Sequence, residues 1–143
     1  MSEIDHDVAL RVMAEVAENL GFLTPMGIAE GLPAESQVAT VGVAFTGART
    51  GRVVLAVSRG LGDELVRNML GLPPGTAPED GLAGEATLEM ANVIAGNLLP
   101  TLYGDQMEFH LDAPVPIPAQ ALPDGGCAVE LMEGVLAMGI DIG

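Results

Sequence analysis

A hydrophobic period that changes from helical spacing to two and back again limits the folds open to this chain. From Ser36 to Ser58 apolar residues recur in a strand pattern: VATVGVAF, then TGARTG, then RVVLAVS. A period of two sends successive side chains to opposite faces of a strand. Glycines at both ends of the short polar loop let the chain reverse, so the stretch reads as a β-hairpin. Upstream, residues 6–21 (HDVALRVMAEVAENLG) follow helical spacing, with Ala9, Val12, Met13, Val16 and Leu20 as the apolar stripe and Arg11, Glu15 and Glu18 on the wet side. Asp5 or Asp7 supplies the N-cap and Gly21 stops the helix. Residues 24–36, with Pro25, Gly27, Gly31 and Pro33, form a connection with room for a short strand. After the hairpin, LGDELVRNMLG (61–71) reads as a short helix with Leu61, Leu65, Val66, Met69 and Leu70 inward.

The rest of the chain continues the alternation. LPPGTAPEDG is a loop rather than a linker, because too little chain lies on either side for two domains, and residues 1–143 are expected to form one domain. A long helix begins near Pro78 or Glu79, with acids in its first turn where the helix dipole favours them, and runs to about Leu99. Pro100 ends or kinks it. Residues 106–112 (QMEFHLD) read as a strand, and APVPIPAQALPDGG is extended. The end, CAVELMEGVLAMGIDI, reads as a second hairpin turning at Glu133-Gly134. There Val135, Ala137 and Gly139 alternate with Leu136, Met138 and Ile140; both sets are apolar, as in a sheet covered on both faces. Each half is thus a helix followed by antiparallel strands. Setting EVAENLG (15–21) under EMANVIAG (89–96) places Glu15 over Glu89 and Glu18 over Asn92, as in a duplicated unit. The expected fold class is α+β: two layers, a mostly antiparallel sheet packed with helices, in two similar halves.

Composition excludes several functions. The chain has 143 residues, twenty acids against five cations, and a formal charge of −15; every cation is an arginine. Such a field repels nucleic acid and anionic membrane surfaces. With four aromatic residues and eight methionines, the core must be aliphatic and Met-filled. The lone Cys127 forms no internal disulfide and reads as a small, buried residue at a strand start. His6 and His110 stand far apart with no Cys/His cluster, so no metal site is expected. The acidic N-terminus is unlike a secretory signal, and no apolar run is as long as a membrane span, so a cytoplasmic protein is expected.

One polar line interrupts this scaffold. At roughly 100° per residue, Glu85, Glu89, Asn92 and Gly96 fall on one narrow stripe of the long helix. Leu88, Ala91, Ala95 and Leu98 fall away from it toward a core. Glu89 and Asn92, at i and i+3, stand side by side one turn apart. Gly96 has no side chain and lets a partner's backbone come close.

Glu89-x-x-Asn92, continued by Ile94-Ala95-Gly96-Asn97 and followed by Pro114 a little over twenty residues after the Asn, resembles the CheC/CheX family of chemotaxis phosphatases. The hairpin GARTGRVVLAV and the helix after it look similar too; the resemblance covers roughly residues 40–143, and the first helix also fits. Such proteins hydrolyse the aspartyl phosphate of a response-regulator receiver domain, typically phosphorylated CheY. Some members carry an E-x-x-N pair in both halves and CheX-like ones a single central pair. This chain looks like the single-site kind, since Glu18 stands where the first helix would need Asn, and Asn19 is one residue late. In CheC-like members the position four before the Glu is commonly Asp or Ser; here it is Glu85, which bears on partner choice.

The resemblance implies catalytic roles for Glu89 and Asn92, with Glu85, Glu89 and Gly96 meeting the partner. A carboxamide suits the placing of an attacking water, because its oxygen accepts a water proton without a change of protonation state. Glu89 would pair with a receiver cation. No cofactor of its own is expected, Mg²⁺ being carried by the receiver partner. The competing reading is a non-catalytic module of the same fold that binds a receiver or a flagellar-switch component. A small-molecule site finds no support, since GARTG lacks the Gly-Lys-Ser/Thr ending and following helix of a phosphate-binding loop. The resemblance to CheX implies a homodimer, and the apolar C-terminal strands could leave a sheet edge that pairs with a second copy.

Overall fold

The computed structural model describes residues 5–73, 75–76, 81–104, 106–123 and 126–142. Its elements are α1 (His6–Gly21), β1 (Pro25–Ala29), a 3-10 turn (Ala34–Ser36), β2 (Gln37–Gly47), β3 (Gly51–Ser58), α2 (Arg59–Leu70), α3 (Leu82–Tyr103), β4 (Phe109–Leu111), β5 (Val115–Pro116), β6 (Cys127–Leu131) and β7 (Gly134–Ile142). Among the described residues the strands form one antiparallel sheet in the order β1-β6-β7-β3-β2-β4, with β5 also paired to β2. The fold is the expected α+β arrangement.

The order of strands exposes the two halves. Each half is a helix, a short strand and a long hairpin: α1, β1 and β2–β3; then α3, β4 and β6–β7. The hairpins meet at the centre through β3 and β7, while each short strand crosses to the other half's hairpin, β1 to β6 and β4 to β2. The halves are exchanged around a central pair rather than set side by side.

The sheet's alternation decides which face meets the helices. Val53, Leu55 and Val57 of β3, with Val41, Val43 and Phe45 of β2 and Leu136, Met138 and Ile140 of β7, join the buried helix residues in the main core. The intervening Ala56, Ala128 and Ala137 form a smaller cluster with Leu32 on the opposite face, where Ala29, Leu122 and Val135 pack. That second cover explains the doubly apolar C-terminal strand. It is held by Gln37, whose amide donates to the carbonyls of Leu32 (3.0 Å) and Gln120 (2.8 Å) and accepts from the Thr40 hydroxyl (2.6 Å). Alanine and glycine line this face because a strap of the chain at Leu122 and Pro123 lies close: a Cβ on Gly139 would meet the Pro123 carbonyl oxygen at 2.6 Å.

Several boundaries differ from the sequence reading, each for a local reason. Asp5 is the N-cap of α1, accepting from the Asp7 and Val8 amides. Gly21 does not stop this helix but is its last, buried residue, wedged against Leu65, Leu23 and Met90; the left-handed cap falls on Phe22, at φ 53°. Packing space, not backbone freedom, accounts for that glycine. Leu70 is not inward but 58 % exposed, because it closes α2 where Gly71 turns the chain away. The expected start of the long helix, near Pro78 or Glu79, lies outside the described residues; α3 begins at Leu82 behind Gly81. The strand expected over 106–112 shortens to β4, and the C-terminal hairpin turns one residue early, at Met132-Glu133.

Pro100 neither ends nor breaks α3, which runs on to Tyr103. Proline withholds the N–H that would reach the Gly96 carbonyl and crowds that turn, but Gly96 is exposed, so water can take the place of the withheld bond. The Asn97 amide donates to the Val93 carbonyl (2.8 Å) and the Thr101 hydroxyl to that of Asn97 (2.7 Å). The helix ends where Gly104 donates to the Pro100 carbonyl at 2.8 Å.

The proposed C-terminal edge is also overturned. β7 lies between β6 and β3, both of its edges paired, because its continuous apolar run can be satisfied only inside the sheet. The outer strands are β1 on one side and β4 with β5 on the other.

Candidate active face on the central helix

α3 packs between α1 and α2 and on β2 and β3, which makes it the most enclosed helix of the layer. Ala86, Thr87, Met90, Ala91, Ile94, Ala95, Leu98 and Leu99 are buried. The expected inward residues Ala91, Ala95 and Leu98 are among them, and Leu88 is half-buried. Thr87 is fully buried because its hydroxyl returns a 2.6 Å bond to the Ala83 carbonyl. The same burial that fixes one side of the helix turns the other outward: Glu85, Glu89, Asn92 and Gly96 are all exposed. Met90 is fully buried next to Glu89, so the turn bearing the polar pair is pinned from beneath.

Nothing within the described residues occupies this line. No hydrogen bond or ion pair among them engages the side chains of Glu85, Glu89 or Asn92. A surface asparagine in a helix is a mediocre choice on propensity alone, and the neighbouring Asn97 shows what such a residue does structurally, bonding back onto its own helix. Asn92 does not do this. At Gly96 a Cβ would meet only Leu111, at 4.0 Å, so no internal contact requires glycine there.

Clefts flank the line. One lies between α2 and α3, bordered by Glu85 and Glu89; another runs beside Gly96 and Pro100 toward Met107, Phe109 and Leu111 of the β4 segment. On the far side, the groove between α1 and α3 is lined by Arg11, Glu15 and Asn19, with Asn97 and Thr101 opposite. Glu18 is exposed on α1. Sequence reading did not foresee the clefts, which depend on how closely three helices pack.

Other reactive groups are elsewhere. Burial pushes the Cys127 thiol up from 9.0 to about 11, which keeps it protonated and inert as a nucleophile. His110 is an exposed strand residue beside Asp112 at 3.6 Å. Among the described residues no three potential ligands gather at a metal site, and no helix is long and apolar enough to cross a membrane.

A single antiparallel sheet of exchanged halves, carrying a carboxylate–amide pair outward on its central helix, defines the class: a two-layer α+β fold with an open polar line on one helix. The profile described as "Chemotaxis phosphatase CheX" matches residues 39–123, more than half of the sequence. The chain belongs to the CheX family of chemotaxis phosphatases. The fold is similar to CheX of Borrelia burgdorferi in a crystal structure of its complex with CheY, BeF3 and Mg²⁺ (16 % identity, TM-score 0.69, covering 97 % of this chain and 98 % of that one). It is similar also to CheX of Desulfovibrio desulfuricans (15 %, TM-score 0.71, 96 % and 97 %) and to FliY of Thermotoga maritima (15 %, TM-score 0.58, 96 % and 87 %). A search of curated proteins gave no match. At these identities the structural likeness speaks for the fold.

Proposed function

We propose that this chain is a phosphatase that hydrolyses the aspartyl phosphate of a CheY-like receiver domain, in chemotaxis or another two-component pathway. The observation that carries the reading is the pair Glu89 and Asn92, exposed one turn apart on the most tightly packed helix and left without partners among the described residues. In this reaction the oxygen of water bonds to phosphorus as the bond from phosphorus to the aspartyl oxygen breaks, releasing phosphate and the free carboxylate. Little covalent chemistry is asked of a second protein, because positioning supplies most of the catalysis available. Asn92 orients the water through its amide. Glu89 pairs with a cation of the receiver, holding the surfaces in register. Glu85 adds to partner choice, and Gly96 lets the receiver's backbone approach. The receiver brings Mg²⁺, which offsets charge on the phosphoryl oxygens; this chain needs no cofactor of its own.

The test is phosphate release from a Mg²⁺-loaded CheY receiver charged with a small phosphodonor. Acceleration that disappears in Asn92→Ala supports the reading. Binding without acceleration leaves the reading of a non-catalytic docking module. The proposed site of action is the cytoplasm, where such receivers work.

The homodimer belongs to the same proposal, with a different edge from the one first expected. β1 is an outer strand on which Met26 and Ile28 are exposed, and Phe22 is exposed just before it. Exposed Met132 is tied to the same end by its amide's 2.8 Å bond to the Thr24 carbonyl. An apolar, uncharged edge strand is a template for pairing with a second copy.

A further inference from the structure

The cleft between α2 and α3 is small, about 160 Å³, below the roughly 300–1,000 Å³ of small-molecule sites. It has room for a side chain rather than a metabolite. Its α2 wall is apolar, Met69 and Leu70; Ala86 lines it from α3, and Glu85 and Glu89 border it. Leu70 stays 58 % exposed at this mouth, so the wall is left open. Both carboxylates are exposed and one turn apart, a like-charge spacing that costs the isolated helix stability. The two cations on the neighbouring helix do not relieve them: among the described residues neither Arg59 nor Arg67 pairs with either carboxylate, and Arg67 is committed to Glu64 at 2.8 Å and to the Thr76 carbonyl at 2.9 Å. An apolar wall ending in uncompensated carboxylates matches the two-part chemistry of a lysine or arginine side chain, an aliphatic stem with a charged head.

Resting on the phosphatase reading, we propose that this cleft receives one long cationic side chain of the docked receiver, its stem along Met69 and Leu70 and its head at Glu85. The contact is separate from the placing of water by Asn92. The cleft is continuous with the proposed docking line through Glu89, so a receiver engaged there lays its adjoining surface over the cleft. Glu85 then selects among receivers by whether they present a cation at this distance from the phosphorylation site.

The experiment compares wild type, Glu85→Gln, Glu85→Arg and Asn92→Ala on CheY charged with acetyl phosphate and Mg²⁺, with binding measured separately to CheY carrying BeF3 and Mg²⁺. Glu85→Gln should raise KM about tenfold at low salt, flatten its salt dependence and leave kcat within about twofold. Glu85→Arg should raise KM further, and reversing one receiver Lys or Arg to Glu should restore it. If Asn92→Ala stops turnover while Glu85→Gln changes neither KM nor its salt dependence, the cleft proposal falls and the phosphatase reading stands. A loss of kcat at unchanged KM also overturns it. If wild type gives no turnover but Glu85→Gln weakens binding of the BeF3-loaded receiver, the phosphatase reading fails and the cleft survives. Absence of both turnover and binding overturns both.

Discussion

At the scale of single residues, the proposed site includes one amide, one carboxylate beside it and one missing side chain, and each predicts a different measurement. Asn92→Ala should cut phosphate release on the order of a hundredfold or more while receiver binding stays nearly intact, because only the water loses its guide. Single-turnover decay of the charged receiver, read beside a binding titration, checks that split. Glu89→Ala should weaken both, since truncating one partner of a desolvated charge pair costs about 2–5 kcal/mol. Gly96→Ala separates fold from docking. Open space around Gly96 means the methyl should stabilise the helix by about 0.5–1 kcal/mol in thermal unfolding, yet weaken the receiver complex. Unchanged binding would show that no backbone approaches there. Cys127 predicts a pH profile. With its thiol raised from 9.0 to about 11, alkylation by iodoacetamide at pH 8 should be about a hundredfold slower than for an unperturbed thiol. The unfolded chain releases this proton first, so the group's contribution to stability is full below pH 9 and declines as pH rises toward about 11. The acid–amide line was legible from spacing alone, because a helix converts sequence offsets directly into angles. The role of Gln37 was not, since nothing in its neighbours marks a residue that will join two segments over eighty positions apart.

At the scale of elements, α3 closes the core with one side and presents the proposed site with the other. Its length shows where local rules give way. A proline inside a helix removes one bond and crowds one turn; here that turn is exposed and water can satisfy the freed carbonyl, so the helix survives another turn to Tyr103. The strap on the other face of the sheet makes an opposite prediction. Gly139→Ala pushes a methyl into the Pro123 carbonyl, a backbone atom that cannot rotate away, and should cost about 1–3 kcal/mol in chemical denaturation. Because Gly139 lies on the face away from the helices, activity per folded molecule should be unchanged. A stability equal to wild type would mean that the strap lifts from β7 readily.

At the scale of the whole molecule, the exchanged halves set two helices against each other, α1 and α3, yet only α3 bears the Glu–Asn pair. Glu18→Ala should therefore leave turnover at the wild-type level; a large loss in the same phosphate-release assay would revive a second site on α1. The outer strand β1 carries the dimer prediction: Ile28→Lys should give a monomer by analytical ultracentrifugation, whereas an unchanged dimer would locate the contact elsewhere. Period and spacing alone determined the helices, the hairpins and the polar line, because these depend on residues only a few positions apart. Those same local patterns carried the resemblance to the CheC/CheX family. What only the tertiary structure decided was the exchange of β1 and β4 between halves, the central place of β7, the burial of Gly21 and the clefts beside α3. Each of these turns on which surfaces meet across long separations, where many pairings satisfy the same local pattern and packing selects among them.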